Sequence, residues 1–466
     1  MSTPQFIDWP TEQPDYASLD AAVTGEIARW QAVGIAAGIV RDGERQISVG
    51  GFANAEVGYP MHEQSLFLIG SISKIYTATL VLKLVEQGLL DLDKPVVEYL
   101  PEFTLSQDDV RDAITLRMLL SHTSGFDGDR FTNYGKGDDA YDKAIAEFHT
   151  LIQWFQPGSF FSYNNAGFYL AGQIIRRVTG KSYEDVLTEE IFKPLGLTHS
   201  YIDADLLLNQ PLAAGHMVDY RTGVKLHPAP HLPRHANPAG GIVQSIGDLL
   251  TFAQMHLKHG EINGKRIISA EHAQLMQQPL IEADTYHRHY GIGWSIFTRP
   301  TGKSIGHGGA WGGHRANLII FPEQNFAHAA LVNSNVGVPA YGALEKWVLK
   351  HHLHIDNPRP DAIALSSEEL GARTGIYLRH DSRMEVSLRG EHLLLAITDI
   401  DEDTGEESVE QRFYELEPLG EDRFRVCSPE SKDATVDFRA VPDANGNPRD
   451  LIRISGRVAA RTTAVS

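Results

Sequence analysis

The sequence predicts an α+β protein of two units: an antiparallel sheet completed by both ends of a long helical stretch, and a small C-terminal antiparallel β-barrel. Three observations carry this. β-prone runs cluster near residues 33–53 and again after 289, with mostly helical and loop sequence between them, the pattern of a sheet assembled from two distant parts of a chain. From 371 onward about eight short β-prone runs follow one another in roughly 100 residues, the density of a small barrel or sandwich. The formal net charge of −19 is unevenly spread, −9 in the last 106 residues against −10 in the first 360. The expected division is 1–355 for the first unit, 356–370 for a linker and 371–466 for the barrel.

Taken in order, residues 15–31 read as an amphipathic helix. VGIAAGIV (33–40) and RQISVGGFA (45–53) flank Asp42-Gly43, a hairpin signal. Residues 71–87 form a long helix, apolar on most sides and thus central and buried, with Gly88 placed to end it. Ser245-Ile-Gly-Asp248 reads as a capping box opening a further helix. Strands return with GIGWSIFT, RANLIIF and AHAALVNS, the last two joined by a turn at Pro322–Asn325, and 339–353 is helical. The stretch 354–370 reads as a linker with one short helix. Gly390-Glu391, Gly420-Glu421 and Asn445-Gly446 mark turns of the barrel.

Composition narrows the function classes. With 466 residues, 42% hydrophobic and 22% charged, the chain is not disordered as a whole. Cys427 is the only cysteine, so no disulfide framework exists, and its β-prone surroundings predict a buried thiol. No apolar run approaches the ~20 residues that cross a bilayer. The start, MSTPQFIDWP, has neither a basic nor an apolar leader region, so a cytoplasmic location is expected. The negative charge argues against nucleic acid and polyanions. A small molecule or short peptide is the expected partner, no membrane is implied, and self-assembly stays open.

Three segments could carry chemistry. Ser71-Ile-Ser-Lys74 sits where Gly70 opens the buried helix. Residues i and i+3 share a face, so the Ser71 hydroxyl and the Lys74 amine can meet. The first turn also offers free N–H groups and a positive dipole end, and desolvation would make Lys74 a base. The ordinary alternative is an N-cap serine with a snorkelling lysine. Tyr163-Asn164-Asn165 follows the turn Pro157-Gly158 and precedes a helix. A tyrosine near an ammonium can have a lowered pKa and shuttle protons, and Asn165 can bond the lysine or a substrate amide; simple helix capping would place the same residues there. His307-Gly308-Gly309-Ala310 lies between two predicted strands, where glycines let a backbone approach a ligand; a strand bulge would look the same.

Together and in this order, S-x-x-K, Y-x-N and H-x-G resemble the serine β-lactamase/penicillin-binding-protein-like hydrolases, specifically the class C β-lactamase-like group with its D-aminopeptidases, carboxypeptidases and family VIII esterases. FLIGSISKIYTATLVLKLVEQGLLDLDKPVVEYLP, ITLRMLLSHTSGF, FSYNNAGFYLAGQIIRRVTG and GHGGAWGGHRANLIIFPEQNFAHAALVNS carry the likeness, which spans roughly 20–350. It implies a β-lactamase-like sheet flanked by helices with a helical insertion, and an acyl-enzyme mechanism: Ser71 as nucleophile, Lys74 and Tyr163 as proton carriers, and the N–H groups of Ser71 and Ala310 around the oxyanion. Asn165, His307, Gly308 and Gly309 would contact substrate, and no cofactor or metal is needed. Where lactamases carry the lysine of K-T-G, this chain has His307. Histidine is mostly neutral at pH 7, which argues against true β-lactamase activity. The C-terminal unit resembles lipocalin-like barrels attached to D-aminopeptidase-like members, which can cover the active-site mouth or mediate assembly. An amidase or peptidase for small peptides, D-residues included, is the leading reading; an esterase, a weak β-lactamase, a non-hydrolytic penicillin sensor and a barrel-centred binding protein are the rivals.

Other candidates are weaker. Gly302-Lys-Ser304-Ile-Gly306 matches G-x-S-x-G but lacks the strand-to-helix context of a nucleophile elbow. Ser121-His122 are adjacent and cannot form a relay on one helix face; the resemblance makes their segment structural. His227, His231 and His235 have metal-helix spacing, but intervening prolines predict a loop. His351, His352 and His354 suit a helix C-terminus and predict no site.

Overall fold

The computed structural model describes residues 14–228, 231–283, 288–299, 302–356, 361–401, 404–427 and 434–462. The opening MSTPQFIDWP, Ala229-Pro230 of the histidine loop and 357–360 of the linker lie outside the described residues.

Helix α1, Leu19–Trp30, begins at Ser18, whose side chain accepts the Ala21 N–H. It leads into strands β1, Gly34–Arg41, and β2, Glu44–Asn54. Asp42 and Gly43 both take positive φ, 51° and 90°, so the turn has the hand that matches strand twist. A third, two-residue strand, Tyr59–Pro60, ends the sheet on this side. Six further strands come from the other end of the segment: β4 Ile281–Glu282, β5 Arg288–Tyr290, β6 Ser295–Arg299, β7 Gly302–Trp311, β8 His314–Phe321 and β9 Phe326–Val332. With the edge pair counted as β3, the antiparallel sheet runs β4-β5-β6-β7-β8-β9-β1-β2-β3. β1 meets β9 through Ile35 opposite Val332, so the two ends of the segment close one sheet.

Each face of that sheet is covered. On one, α1 and α5, Gly337–Val348, pack through Trp30, Ile35, Leu344 and Trp347. On the other lies α2, Ser73–Glu86, with eleven of its fourteen residues buried. Its first turn is tighter than α: Gly70–Ile72 is 3₁₀, so the expected helix over 71–87 starts with a change of helix type. Helix α3, Ala166–Thr179, packs beside α2 and stops at Gly180, φ 68°. Helix α4, Ile246–Leu257, starts at Ser245, whose hydroxyl accepts the Asp248 N–H. The expected capping box is only half present, because the Asp248 carboxylate accepts instead from the His199 N–H and the Ser200 hydroxyl.

A short helix, Ser367–Gly371, capped reciprocally by Ser366 and Glu369, precedes a closed barrel of eight antiparallel strands, Gly375–Arg379 through Arg457–Arg461. Its filling includes Tyr377, Leu393, Leu395, Leu416, Phe424 and Ile452. The expectation for Cys427 fails: it is exposed. It ends a strand in which Phe424 and Val426 point inward, so alternation turns its thiol outward.

The barrel is also packed onto the first unit. Val441, Leu451 and Val458 form one cluster with Trp154 and Phe155. Arg453 and Asp437, both almost fully buried, pair at 2.6 and 2.8 Å. Arg453 also donates to the Phe161 carbonyl at 3.3 Å, and Arg423 pairs with Glu282 at 2.6 Å. No helix among the described residues is long and apolar enough to cross a membrane.

Candidate active site

The 3₁₀ turn before α2 decides where Ser71 goes. In that geometry side chains at i and i+3 eclipse, and Lys74 Nζ lies 3.0 Å from Ser71 Oγ. Nζ also donates to the Ala239 carbonyl at 2.7 Å and sits 5.0 Å from the ring centre of Tyr163 and 5.5 Å from that of Phe168. Lys74 is fully buried. Burial pushes its pKa well below the usual lysine value; Arg457 pushes the same way and Asp129 opposes. Its amine therefore shifts toward the neutral form, the form that accepts a proton.

Strand β7 passes directly over this turn. A Cβ on Gly70, φ 53°, would lie 2.5 Å from the Ala310 amide nitrogen, and one on Gly309 would overlap the Ile69 carbonyl oxygen and come within 3.2 Å of the Ser71 nitrogen. Only glycines permit that approach, which brings the backbones of Ser71 and Ala310 close together at one pocket. The H-G-G-A segment is thus part of a strand rather than a link between two. Strand β6 pairs with β7 only up to Gly306, so on that side the backbone of 307–311 has no strand neighbour.

His307 is buried and points to the same pocket. Its Nδ1 lies 2.6 Å from the Gly308 carbonyl and its Nε2 3.1 Å from the Tyr290 hydroxyl. A carbonyl only accepts, so Nδ1 carries the proton and Nε2 accepts from Tyr290. Burial, with Lys74 next, lowers the His307 pKa to about 3. The imidazole is neutral with both nitrogens engaged.

Tyr163 and Asn165 enter from the loop before α3. The Tyr163 pKa is raised, against expectation: burial dominates, while the Arg457 charge and the Ser71 hydroxyl act the other way. The lysine expected to lower it is itself driven toward neutrality. Asn165 donates to Asp129 at 2.5 Å, so its amide serves this carboxylate, not Lys74. Asn164 is buried and bonds the Phe126 carbonyl at 2.6 Å and the Gly167 N–H at 3.0 Å, holding the start of α3.

Residues without a motif complete the pocket. Arg457, from the last barrel strand, is ion-paired with Asp129 and lies 4.6 Å over the Tyr163 ring. The neighbouring Gly456 carbonyl accepts the Tyr163 N–H at 2.7 Å. Asp129 is buried, which raises its pKa, yet Arg457, Arg379 and Asn165 together bring it below the usual carboxylate value. The His122 ring packs at a tilt of 31° against Tyr163 with ring centres 4.2 Å apart, and its Nδ1 accepts the Asn164 N–H at 3.0 Å. The Ser121-His122 segment is thus a support of Tyr163. The pocket has a volume of about 370 Å³, and its lining includes Ser71, Tyr163, Asn165, His307, Gly308, Gly309 and Ala310. A larger polar cleft of about 1270 Å³ shares Phe131, Leu232 and Trp311 with it and holds none of these groups.

The remaining candidates lie elsewhere. Ser304 is buried in the middle of β7, opposite Phe297 of β6, so G-x-S-x-G is strand and no elbow. His235 is buried in a 3₁₀ turn, Arg234–Ala236, and no group of three or more His, Cys, Asp or Glu able to hold a metal occurs among the described residues. His351 and His352 lie in the last turn, Leu349–Leu353, with His354 just beyond it, and His351 faces Asp15 at 2.8 Å.

A serine and a buried lysine at the head of a central helix, faced by a glycine-rich strand, define the class: serine hydrolases of the penicillin-binding fold. Residues 19–352 match the Beta-lactamase family, and the chain belongs to it. It is 33% identical over 324 residues to Penicillin-binding protein 4 of Amycolatopsis lactamdurans, covering 68% of this chain and 84% of that protein. The SurE crystal structure, also solved with D-Leu, superposes with a TM-score of 0.75 at 25% identity over 95% of this chain and 98% of its own. An octameric penicillin-binding protein homologue from Pyrococcus abyssi gives 0.65 at 24% identity over 95% and 99%. Both structural likenesses extend through the barrel.

Proposed function

We propose that this chain is a serine hydrolase that forms an acyl-enzyme on Ser71 and cleaves amide bonds of small peptides or amino-acid amides, D-residues included. The carrying observation is the 3.0 Å contact between Lys74 Nζ and Ser71 Oγ in surroundings that favour the neutral amine. In this reading 1–355 is the catalytic unit, 356–370 the linker and 371–466 the barrel.

The steps balance as follows. Neutral Lys74 takes the Ser71 hydroxyl proton while Oγ bonds to the carbonyl carbon. The resulting oxyanion is held by the Ser71 and Ala310 N–H groups. Tyr163 gives its phenolic proton to the leaving nitrogen as the C–N bond breaks, and recovers one from the Lys74 ammonium. Water then enters and gives one proton to the same pair as its oxygen bonds to the acyl carbon; the pair returns that proton to Ser71 Oγ as the acyl bond breaks, which releases the acid and free Ser71. Asn165, Gly308 and Gly309 lie where they can meet substrate, and neutral His307 can contact it through its ring but brings no charge. His307 itself offers a β-lactam carboxylate no charge; Arg288, Arg315 and Arg457 are cations that line the same pocket, and the cephalosporin in the panel below reads whether they take the place of the lysine of K-T-G. The barrel edge Ser455–Arg457 narrows the mouth and favours short substrates. The D-Leu in the SurE structure motivates D-residues, and the octameric homologue motivates a homo-oligomer, checked by light scattering.

The test is a panel of D- and L-amino-acid p-nitroanilides, short-chain esters and a cephalosporin, run on the wild type and Ser71→Ala. Turnover of a D-residue anilide that disappears in Ser71→Ala is expected. An adduct that forms but never hydrolyses would make the protein a sensor instead.

A further inference from the structure

The end of the barrel that meets the catalytic unit is hollow. A second pocket of about 370 Å³ opens there. Its lining joins the apolar Met384, Ile397, Val426 and Ile454 to the polar Ser382, Tyr414 and Asp129, and it carries Arg379 and Arg412, paired with Asp381 and Asp399. Ser455 and Arg457 line both this pocket and the one that holds Ser71. The two spaces are neighbours that share the Ser455–Arg457 segment, with Arg457 ion-paired to Asp129. Their relation is fixed by the Gly456 carbonyl on the Tyr163 N–H and by His380, which is paired with Asp127 and 3.1 Å from the Asp129 carbonyl.

Tyr163 lines the Ser71 pocket beside that shared segment, with the Arg457 guanidinium over its ring. In the mechanism above this phenol delivers the leaving group's proton, so the leaving group departs on the barrel side. We propose that the barrel mouth is a second subsite of the hydrolase and receives the apolar end of the leaving group. The inference rests on the proposed role of Tyr163. The pocket's apolar residues take an aliphatic or aromatic side chain, while its charged groups suit the polar backbone of an amino-acid leaving group. Its size falls within the range of small-ligand pockets.

Ethyl and octyl acetate form the same acetyl-enzyme, so the ratio of their kcat/KM values reports the leaving-group site alone. The wild type should favour octyl acetate by about tenfold or more, and Met384→Trp, which fills the pocket, should bring the ratio near one. Val426→Phe is the second variant, should circular dichroism show that Met384→Trp does not fold. No octyl preference in the wild type, or the same preference in a folded filled variant, overturns the proposal. A second arm needs no turnover and separates this failure from failure of the acyl-enzyme reading: 1-octanol titrated into Ser71→Ala by calorimetry. Binding weakened about tenfold by adding Met384→Trp supports the subsite; no binding, or binding indifferent to the filling, overturns it.

Discussion

The walls of the candidate active site come from two regions that differ in how they are encoded. One, from the β-lactamase-like unit, holds Ser71, Lys74, Tyr163 and His307–Ala310, each inside a short run on one element. The other, from the barrel, adds Ser455, Gly456 and Arg457, a tight turn and one charge. The first wall supplies every atom that reacts in the proposed mechanism. The second touches none of them covalently, yet its Gly456 carbonyl holds the Tyr163 backbone and its guanidinium bears on Lys74, Tyr163 and Asp129. Reactive groups are placed by local geometry; the proton affinities of Lys74 and Tyr163 are set first by burial and then shifted by a charge arriving from the far end of the chain.

If the two walls divide the work in this way, the largest losses must lie on the first. Ser71→Ala should remove turnover by about 10⁴-fold or more. A fluorophosphonate should add to Ser71 by intact mass and peptide mapping; labelling of Ser304 would contradict this. Lys74→Ala should slow acylation by about 10²–10⁴-fold and change KM less. His307→Ala should cost less than either, because a neutral imidazole with both nitrogens engaged is not a base. Acylation that survives in Lys74→Ala but vanishes in His307→Ala would call for a serine–histidine mechanism.

Besides its contacts to the active-site groups, the second wall leans on the buried Arg453–Asp437 pair, which lies within the barrel and reaches the catalytic unit through the Phe161 carbonyl. Asp437→Ala leaves a buried guanidinium uncompensated, which costs about 3–5 kcal/mol. The loss should appear as a lower melting temperature of the barrel, with a higher KM because Arg453 also holds the Phe161 carbonyl near Tyr163. Limited proteolysis sharpens the comparison: the wild type should be cut first within 354–370, and Asp437→Ala inside the barrel. Unchanged melting and cutting would show that the apolar contact through Trp154, Leu451 and Val458 holds the barrel without the ion pair.

The same division explains what could be read from the sequence. The Asp42-Gly43 hairpin, the buried helix after Ser71, the strands on both sides of the helical stretch and the barrel's eight runs all rest on periodicity and turn chemistry, which are local. Ser71 and Lys74 were legible because three residues fix their distance. The Tyr163 pKa was read with the wrong sign, since proximity to a lysine says nothing about whether burial leaves that lysine charged. For Asn165 the sequence leaves the lysine and a substrate amide open; its bond to Asp129 is not legible there, because Asp129 lies in a segment with no motif. Arg457 has no signal in the sequence: it is one arginine among the barrel's basic residues, the first of a strand that carries no motif. Cys427 was misplaced for a simpler reason, since a β-prone run does not say which of its two faces is inside.

The smallest expected effect tests the barrel's charge directly. The acylation rate follows the neutral fraction of Lys74, so kcat/KM for a neutral ester should rise with pH through the lysine's pKa in the free enzyme. Arg457 lowers that pKa, and Asp129 raises it. Arg457→Met removes the first influence and leaves the Asp129 carboxylate unbalanced, so both changes act upward. The rising limb should move to higher pH, by about one unit, which is about tenfold in rate at a fixed pH below the limb. Arg457→Lys keeps a positive charge and should leave the limb close to its wild-type position. Adding Asp129→Asn to Arg457→Met should move the limb back toward the wild type, because the carboxylate that favours the ammonium is gone. If Arg457 served only to bind substrate, its loss would raise KM and leave the limb in place, and Asp129→Asn would not reverse it. A limb that stays fixed across all three variants would mean that Lys74 is tuned by burial in its own unit, and that the barrel wall shapes the pocket without governing its chemistry.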